Sequence, residues 1–383
     1  MNDQSNPFLY GRPVELADGL IDRENEGAEL LDSVRAGQAV MVYGPRRYGK
    51  TSLARAVERE AAGEWGILAV HADLWGVSSM ADIVGVLGRA YARVSGVFRV
   101  RRFLADLLGS VGFSVNLGQT LSVSYQGSAT AEEERAALRA LLEVLQRLTS
   151  RAAGNRVLVV LDEFGEVLNV PGEPDALMRS AFQASPEVSF LFMGSKRSLM
   201  DGLFTDRRRP FYNFGRRMEL GRLPYEPLGE YVEGRFEAAG RRITPEAVDV
   251  LLDLSQGHPH RAQQMAFHAF RLARTGGEAA DEETALAAKD EALDEAEPEF
   301  RAILDEMSPP RRAAFVALCK DPTDEPHSRT YMRRHGIKGS GALKSAQDGL
   351  EASGYLERGN PGAKPRPTDP LLAIWIRERM NGS

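Results

Sequence analysis

The run Gly44-Pro45-Arg46-Arg47-Tyr48-Gly49-Lys50-Thr51 constrains this chain more than any other stretch of it. It fits the pattern Gly, four free positions, Gly, Lys, then Ser or Thr, which needs a strand before it and a helix after it. Both flanks are present. AVMVY (39 to 43) is a short apolar run, and SLARAVERE, opening at Ser52, is helix-forming. The two glycines let the backbone turn so that successive N–H groups point inward at an anion, and the following helix adds its positive end. Gly44 to Ser52 therefore read as a phosphate cradle. In it Lys50 neutralises β- and γ-phosphate charge, and the Thr51 hydroxyl is an oxygen ligand suited to Mg²⁺.

Around this loop, the branched apolar runs at 39–43, 67–74, 156–161 and 188–193 alternate with helix-period segments, which predicts an α/β fold with a parallel sheet. RVLVVL (156 to 161) is apolar without alternation, as a strand buried on both faces is, and belongs near the sheet centre. It ends in Asp162 and Glu163, so two acids emerge at the carboxyl edge of a buried strand, where ligands bind in open α/β sheets. Asp162 is expected to reach Mg²⁺ and Glu163 to orient or deprotonate an attacking water. The pattern breaks between 97 and 131, where FSVNLG and LSVSYQG alternate and are expected to pair as a hairpin within an insertion. Leu138, Leu141, Leu142, Leu145 and Leu148 then recur at helical spacing behind an acidic first turn.

A single cysteine, Cys319, rules out an intramolecular disulfide and a multi-cysteine zinc site, which fits a reducing compartment. No apolar stretch approaches the length needed to span lipid, and the first residues lack a basic, then apolar, export pattern. The reading is a soluble, cytoplasmic protein with no membrane partner. Its formal charge of −6 hides an asymmetry. Residues 275–300 hold ten acids against Lys289 alone, a net of −9, and read as a solvated surface that still has enough Ala and Leu for a helix. From 308 onward thirteen bases face eight acids, a net of +5, which points to a local anionic partner.

Several segments together resemble the STAND-type archaeal and bacterial ATPases of the AAA-like branch. YGPRRYGKTSL (43 to 53) is similar to that family's phosphate loop, and NPFLYGRPV with LIDRENE to its N-terminal strap. FLFMGSKRSLM (190 to 200) resembles the sensor strand and FYNFGRRMEL (211 to 220) the arginine-bearing strand. GHPHRAQQMAFHAF (257 to 270) looks like the lid signature, and TDPLLAIWIRERM (368 to 380) like the helix that closes a winged helix. The resemblance implies an ATPase core over 1–222, a helical lid and acidic linker over 223–300, and a winged-helix domain over 301–383. It implies ATP or ADP as ligand, with Leu20, Ile21 and Arg23 beside the adenine, Ser195 as the polar sensor on a strand between the cradle strand and the Asp162 strand, and Arg216 near the γ-phosphate in cis or from a neighbour. Arg207, Arg208 and Arg209 are further candidates for that place. Gly257 and Pro259 would shape the lid, and His258 and His260 read as packing residues.

The basic end, 308–383, reads as three helices followed by two wing strands about a Gly359-Asn360-Pro361-Gly362 turn. Two readings stand for it: contact with double-stranded DNA, or packing on its own ATPase core or a protein effector. Its third helix offers Lys344 but also Asp348 and Glu351, so contact with DNA would be led by phosphates and not by bases. For the whole chain the resemblance implies a nucleotide-driven conformational switch, with nucleotide-dependent self-assembly and any effector on a separate protein. The alternatives are a DNA-associated ATPase and a non-hydrolysing adaptor loaded with nucleotide.

Overall fold

The computed structural model describes residues 6–11, 20–94, 113–116, 122–125, 130–149, 156–273, 278–358 and 365–380. They fall into two compact units. One is Arg23–Gly44 with Lys50–Leu220; the other is Met1–Asp22, Pro45–Gly49 and Gly221–Ser383.

The first of these is α/β. In chain order it runs α1 (Glu24–Arg35), β1 (Ala39–Tyr43), α2 (Lys50–Trp65), β2 (Leu68–Asp73), α3 (Met80–Val94), β3 (Phe113–Asn116), β4 (Ser122–Tyr125), α4 (Ala131–Thr149) and β5 (Val157–Asp162). It continues through a 3₁₀ turn (Phe164–Asn169), α5 (Pro174–Gln183), β6 (Val188–Gly194), α6 (Arg197–Phe204) and β7 (Arg216–Glu219). Five strands form one sheet in the order β2-β5-β6-β1-β7, with every pair parallel. β5 is interior, as its unbroken apolar run predicts, but the middle place belongs to β6, which is buried along its whole length.

Side chains alternate across a strand, and here both sets are covered. Met41, Val159, Phe190 and Phe192 join a core with α3, α4 and a cluster of rings in which Phe164 lies 4.7 Å from Phe192 and 5.2 Å from Phe211. The alternate residues Val40, Val42, Leu158, Val160 and Leu191 are buried as well. All five leucines expected on one face of α4 are buried. β3 and β4 pair antiparallel as a separate ribbon. The remainder of the 97–131 stretch is described only at its last residues, and 97–112, 117–121 and 126–129 lie outside the described residues.

The other unit is mostly helical: α7 (Tyr225–Ala238), α8 (Pro245–Ser255), α9 (Pro259–Leu272), α10 (Glu282–Glu306), α11 (Pro309–Lys320), α12 (Arg329–Arg334), α13 (Ser340–Ala352), an antiparallel ribbon of β8 (Leu356–Arg358) with β9 (Pro365–Pro367), and α14 (Pro370–Arg379). The turn expected at 359–362 lies outside the described residues. Phe8 is buried among Phe236 and Phe270, so the N-terminal segment is part of this core. The acidic run is not simply a solvated surface. As α10 it buries Ala285, Ala288, Ala292, Leu293, Ala296, Phe300 and Leu304, because helical periodicity gathers its small and apolar residues on one side. Several of its acids find cations, including Asp294 with Arg379 and Glu297 with Arg301.

No helix among the described residues is long and apolar enough to cross a membrane.

Candidate functional site

Parallel strands bring their carboxyl ends to one edge, and register decides what meets there. Tyr43 is level with Gly194, and Leu161 with Phe192, so the chain leaving β1, β5 and β6 emerges side by side. From β1 the backbone enters the glycine loop. Gly44 has no room for a side chain, since a Cβ there would lie 2.6 Å from the Leu220 carbonyl oxygen. Arg47 and Gly49 both take the left-handed conformation, with φ of 66° and 87°. Alternation of this kind turns successive N–H groups inward. α2 begins at Lys50, whose buried ammonium donates to the Gly44 carbonyl at 2.8 Å and closes the turn.

Across from the loop, the Thr51 hydroxyl donates to Asp162 Oδ2 at 2.8 Å, while the other carboxylate oxygen accepts the Glu163 N–H at 2.9 Å. Both partners therefore fix the orientation of a carboxylate that is only 6% exposed. Glu163 has φ 49° and ψ 39°, a left-handed conformation costly for a residue with a Cβ and concentrated at functional sites. Its carboxylate is held by Ser195, which donates from the backbone N–H at 3.1 Å and from Oγ at 2.9 Å. Ser195 directly follows β6, the strand between β1 and β5.

Thus Gly44, Lys50, Thr51, Asp162, Glu163 and Ser195 converge, with Ser52 buried behind them in α2. Arg216 does not join them. It pairs in register with Val40, three residues before Tyr43, which sets it about 10 Å back along the sheet, and it binds Glu29 at 2.5 Å. The motif placed this arginine on a strand correctly but carried no information about which end. Among the other arginines, Arg208 pairs with Asp206 and Arg209 with Asp175 at 3.5 Å. Arg23 is buried at the start of α1, 2.6 Å from Glu26.

In the helical unit, Leu20 and Ile21 are half-buried and Arg46 is exposed. Arg47 meets Glu299 at 2.8 Å. Gly257 takes φ 72°, and a Cβ there would fall 2.3 Å from the Leu223 carbonyl oxygen. Pro259 opens α9 behind its cap His258, whose Nδ1 accepts the Arg261 N–H. Burial pushes His258 down to about 3 and His260 to about 2, so both are neutral packing groups at ordinary pH. Burial likewise pushes the Cys319 thiol up to about 12 and leaves it unreactive.

Two residues escaped the sequence reading. Glu166, one 3₁₀ turn beyond Glu163, accepts from Lys196 at 2.8 Å, and Lys196 directly follows Ser195. This ion pair ties the chain leaving β5 to the chain leaving β6. The available signal was spacing, a second acid three residues after the first.

Residues 20–186 match the family model of the AAA ATPase domain. The AAA-matched segment contains the loop, Asp162 and Glu163, and stops short of Ser195 and Arg216. Among solved structures, the Walker-type ATPase of Pyrococcus abyssi superposes with a TM-score of 0.70 at 18% identity, covering 96% of this chain and 98% of its own. The ORC2 protein of Aeropyrum pernix, solved as ADPNP-ADP complexes, gives 0.61 at 17% identity, with 98% and 96% covered. The ORC1 protein of the same organism in complex with DNA gives 0.50 at 17%, with 94% and 92% covered. The likeness is one of fold and extends over nearly the whole chain. No curated protein matches the sequence.

Proposed function

We propose that this chain binds and hydrolyses Mg-ATP and works as a nucleotide-driven conformational switch. The observation that carries the reading is the Thr51–Asp162 hydrogen bond beside the Lys50-closed loop, with Glu163 next in the chain. A hydroxyl and a carboxylate oriented together are hard oxygen donors, the set that Mg²⁺ takes alongside substrate phosphates. When bound, the ion neutralises charge on the β- and γ-phosphates. The loop N–H groups and Lys50 bind and orient the triphosphate. Glu163 accepts a proton from the attacking water, and Ser195 positions Glu163, with Lys196 and Glu166 bracing both. The choice of adenine rests on the resemblance of the Leu20, Ile21 and Arg23 segment, and the lid roles of Gly257 and Pro259 rest on the same likeness. Arg216, set back along β7, serves this scheme only if offered to a neighbouring copy.

Replacing Glu163 with Gln keeps the shape and removes the base. Turnover then falls by about two to four orders of magnitude, while ATP still binds. Wild-type turnover in that variant would exclude Glu163 from the chemistry.

A second reading, DNA contact through α11 to α13 and the β8–β9 ribbon taken as a winged helix, has its own support. Many bases of the +5 end are paired internally, Arg334 with Asp321, Arg358 with Glu351 and Arg366 with Glu357. Arg329, Arg333, Lys338 and Lys344 are exposed and carry no ion pair among the described residues. Four phosphate contacts predict a log–log salt slope of roughly −3.6 for duplex DNA. Affinity indifferent to salt excludes this reading.

A further inference from the structure

Tyr48 stands inside the phosphate loop, yet its side chain is given over to something else. It is 1% exposed, and its hydroxyl donates to Glu357 Oε2 at 2.7 Å. Its ring meets His258 edge-on, with centroids 5.0 Å apart. Glu357 is the middle residue of β8, opposite Arg366 in the ribbon. Its other oxygen accepts from Arg222 Nε at 2.6 Å and Arg366 Nε at 2.9 Å. Arg222 is saturated: beyond Glu357 it donates to the Gln256 carbonyl and side chain and to the carbonyls of Pro367 and Thr368. All five donors of the guanidinium are thereby used. A neutral hydroxyl bonded to a carboxylate that two guanidinium groups hold in place is a strong, directional contact. Breaking it strands a buried polar group, which is costly. None of this is needed to grip a phosphate, for which backbone N–H groups and Lys50 suffice.

We propose that Tyr48 is a latch that couples the phosphate loop to the β8–β9 ribbon. The inference rests on the nucleotide reading of the loop and adds to it the element that nucleotide occupancy controls. When phosphates order the loop, Tyr48 is held where it engages Glu357, and the ribbon is steadied. When a partner pulls on the ribbon, Tyr48 is released and the loop loosens its hold on nucleotide. Coupling of this kind is reciprocal, so each effect implies the other. Arg47, paired with Glu299 of α10, gives the loop a second and weaker attachment that does not touch the ribbon.

The test is hydrogen exchange on the full chain with and without saturating Mg-ADP, in wild type, Tyr48→Phe, Glu357→Gln and the double variant, with Mg-ADP affinity measured by calorimetry. In wild type Mg-ADP slows exchange at 356–358 and at Arg366, the one residue of β9 with an amide hydrogen. In Tyr48→Phe, which deletes one oxygen and keeps the ring, Mg-ADP binds about fivefold more weakly or worse. At saturation it still protects 50–65 but no longer the ribbon. Glu357→Gln, at the far end of the contact, gives the same loss, and the double variant adds nothing further. Ribbon protection that survives in Tyr48→Phe, or losses that add in the double variant, overturn the latch. Wild type that binds Mg-ADP without any ribbon protection overturns it too and leaves the nucleotide reading intact. Wild type that fails to bind Mg-ADP removes both.

Discussion

Ser195 donates twice to one oxygen of Glu163, once from the backbone and once from Oγ. Removing only the hydroxyl in Ser195→Ala leaves the backbone donor, so turnover is expected to fall about tenfold with the KM for ATP little changed, a value set by one hydrogen bond to a charged group of about 1.5 kcal/mol. A steady-state ATPase assay separates this from a binding defect, which would raise KM. Gly44 is bound by sterics instead. In Gly44→Ala the new methyl meets the Leu220 carbonyl oxygen, which belongs to backbone tied to β1 through the Leu220 N–H and the Tyr43 carbonyl at 2.8 Å. The variant should lose about 1–3 kcal/mol in urea unfolding. The Lys50, Thr51, Asp162 and Glu163 cluster was legible in the sequence because each residue type is dictated by phosphate or metal chemistry at fixed spacing from a strand end. Tyr48 was not: its position in the motif is free, and its partner Glu357 lies 309 residues away.

At the scale of elements, periodicity showed that β1, β2, β5 and β6 exist but not how they stand beside one another. The middle place of β6 depends on crossover connections, and the distance of Arg216 from the loop depends on register with β1, which no local pattern encodes. Charge runs misled for a related reason, since the −9 stretch is a helix with a buried side whose acids are partly matched by distant cations. One such pairing holds α14. Asp369 accepts the N–H groups of Leu371 and Leu372 at the start of that helix and takes Arg261, itself 1% exposed, through two nitrogens. Burial works against its charged form, but the Arg261 guanidinium outweighs it and holds the carboxyl down at about 2. Asp369→Ala strands a buried guanidinium and removes a cap, and should cost about 3–5 kcal/mol in the helical unit. Exchange at 371–379 should rise first, and a variant with unaltered exchange there contradicts this role of the pairing.

For the molecule as a whole, the buried His258 and the half-buried His260 set a pH dependence. His258 and His260 stay neutral in the folded state down to about 3 and about 2, whereas the unfolded chain takes up protons below about 6.5. Their contribution is complete above that value and is lost as pH falls toward the folded values. Near pH 5.5 the expected slope approaches about 2.7 kcal/mol per pH unit, before most carboxylates titrate. Chemical denaturation at pH 7.5, 6.5 and 5.5 reads this directly, and stability flat across that range contradicts it.

In the proposed function, the glycine loop and the Asp162–Glu163 strand tip form one magnesium-nucleotide site. Calorimetric titration of ATP into wild type and Lys50→Ala, each with Mg²⁺ and with EDTA, tests it most directly. Saturable one-to-one binding in wild type that weakens sharply in EDTA and disappears in Lys50→Ala is the predicted result. Binding that ignores magnesium, or that Lys50→Ala leaves unchanged, contradicts it.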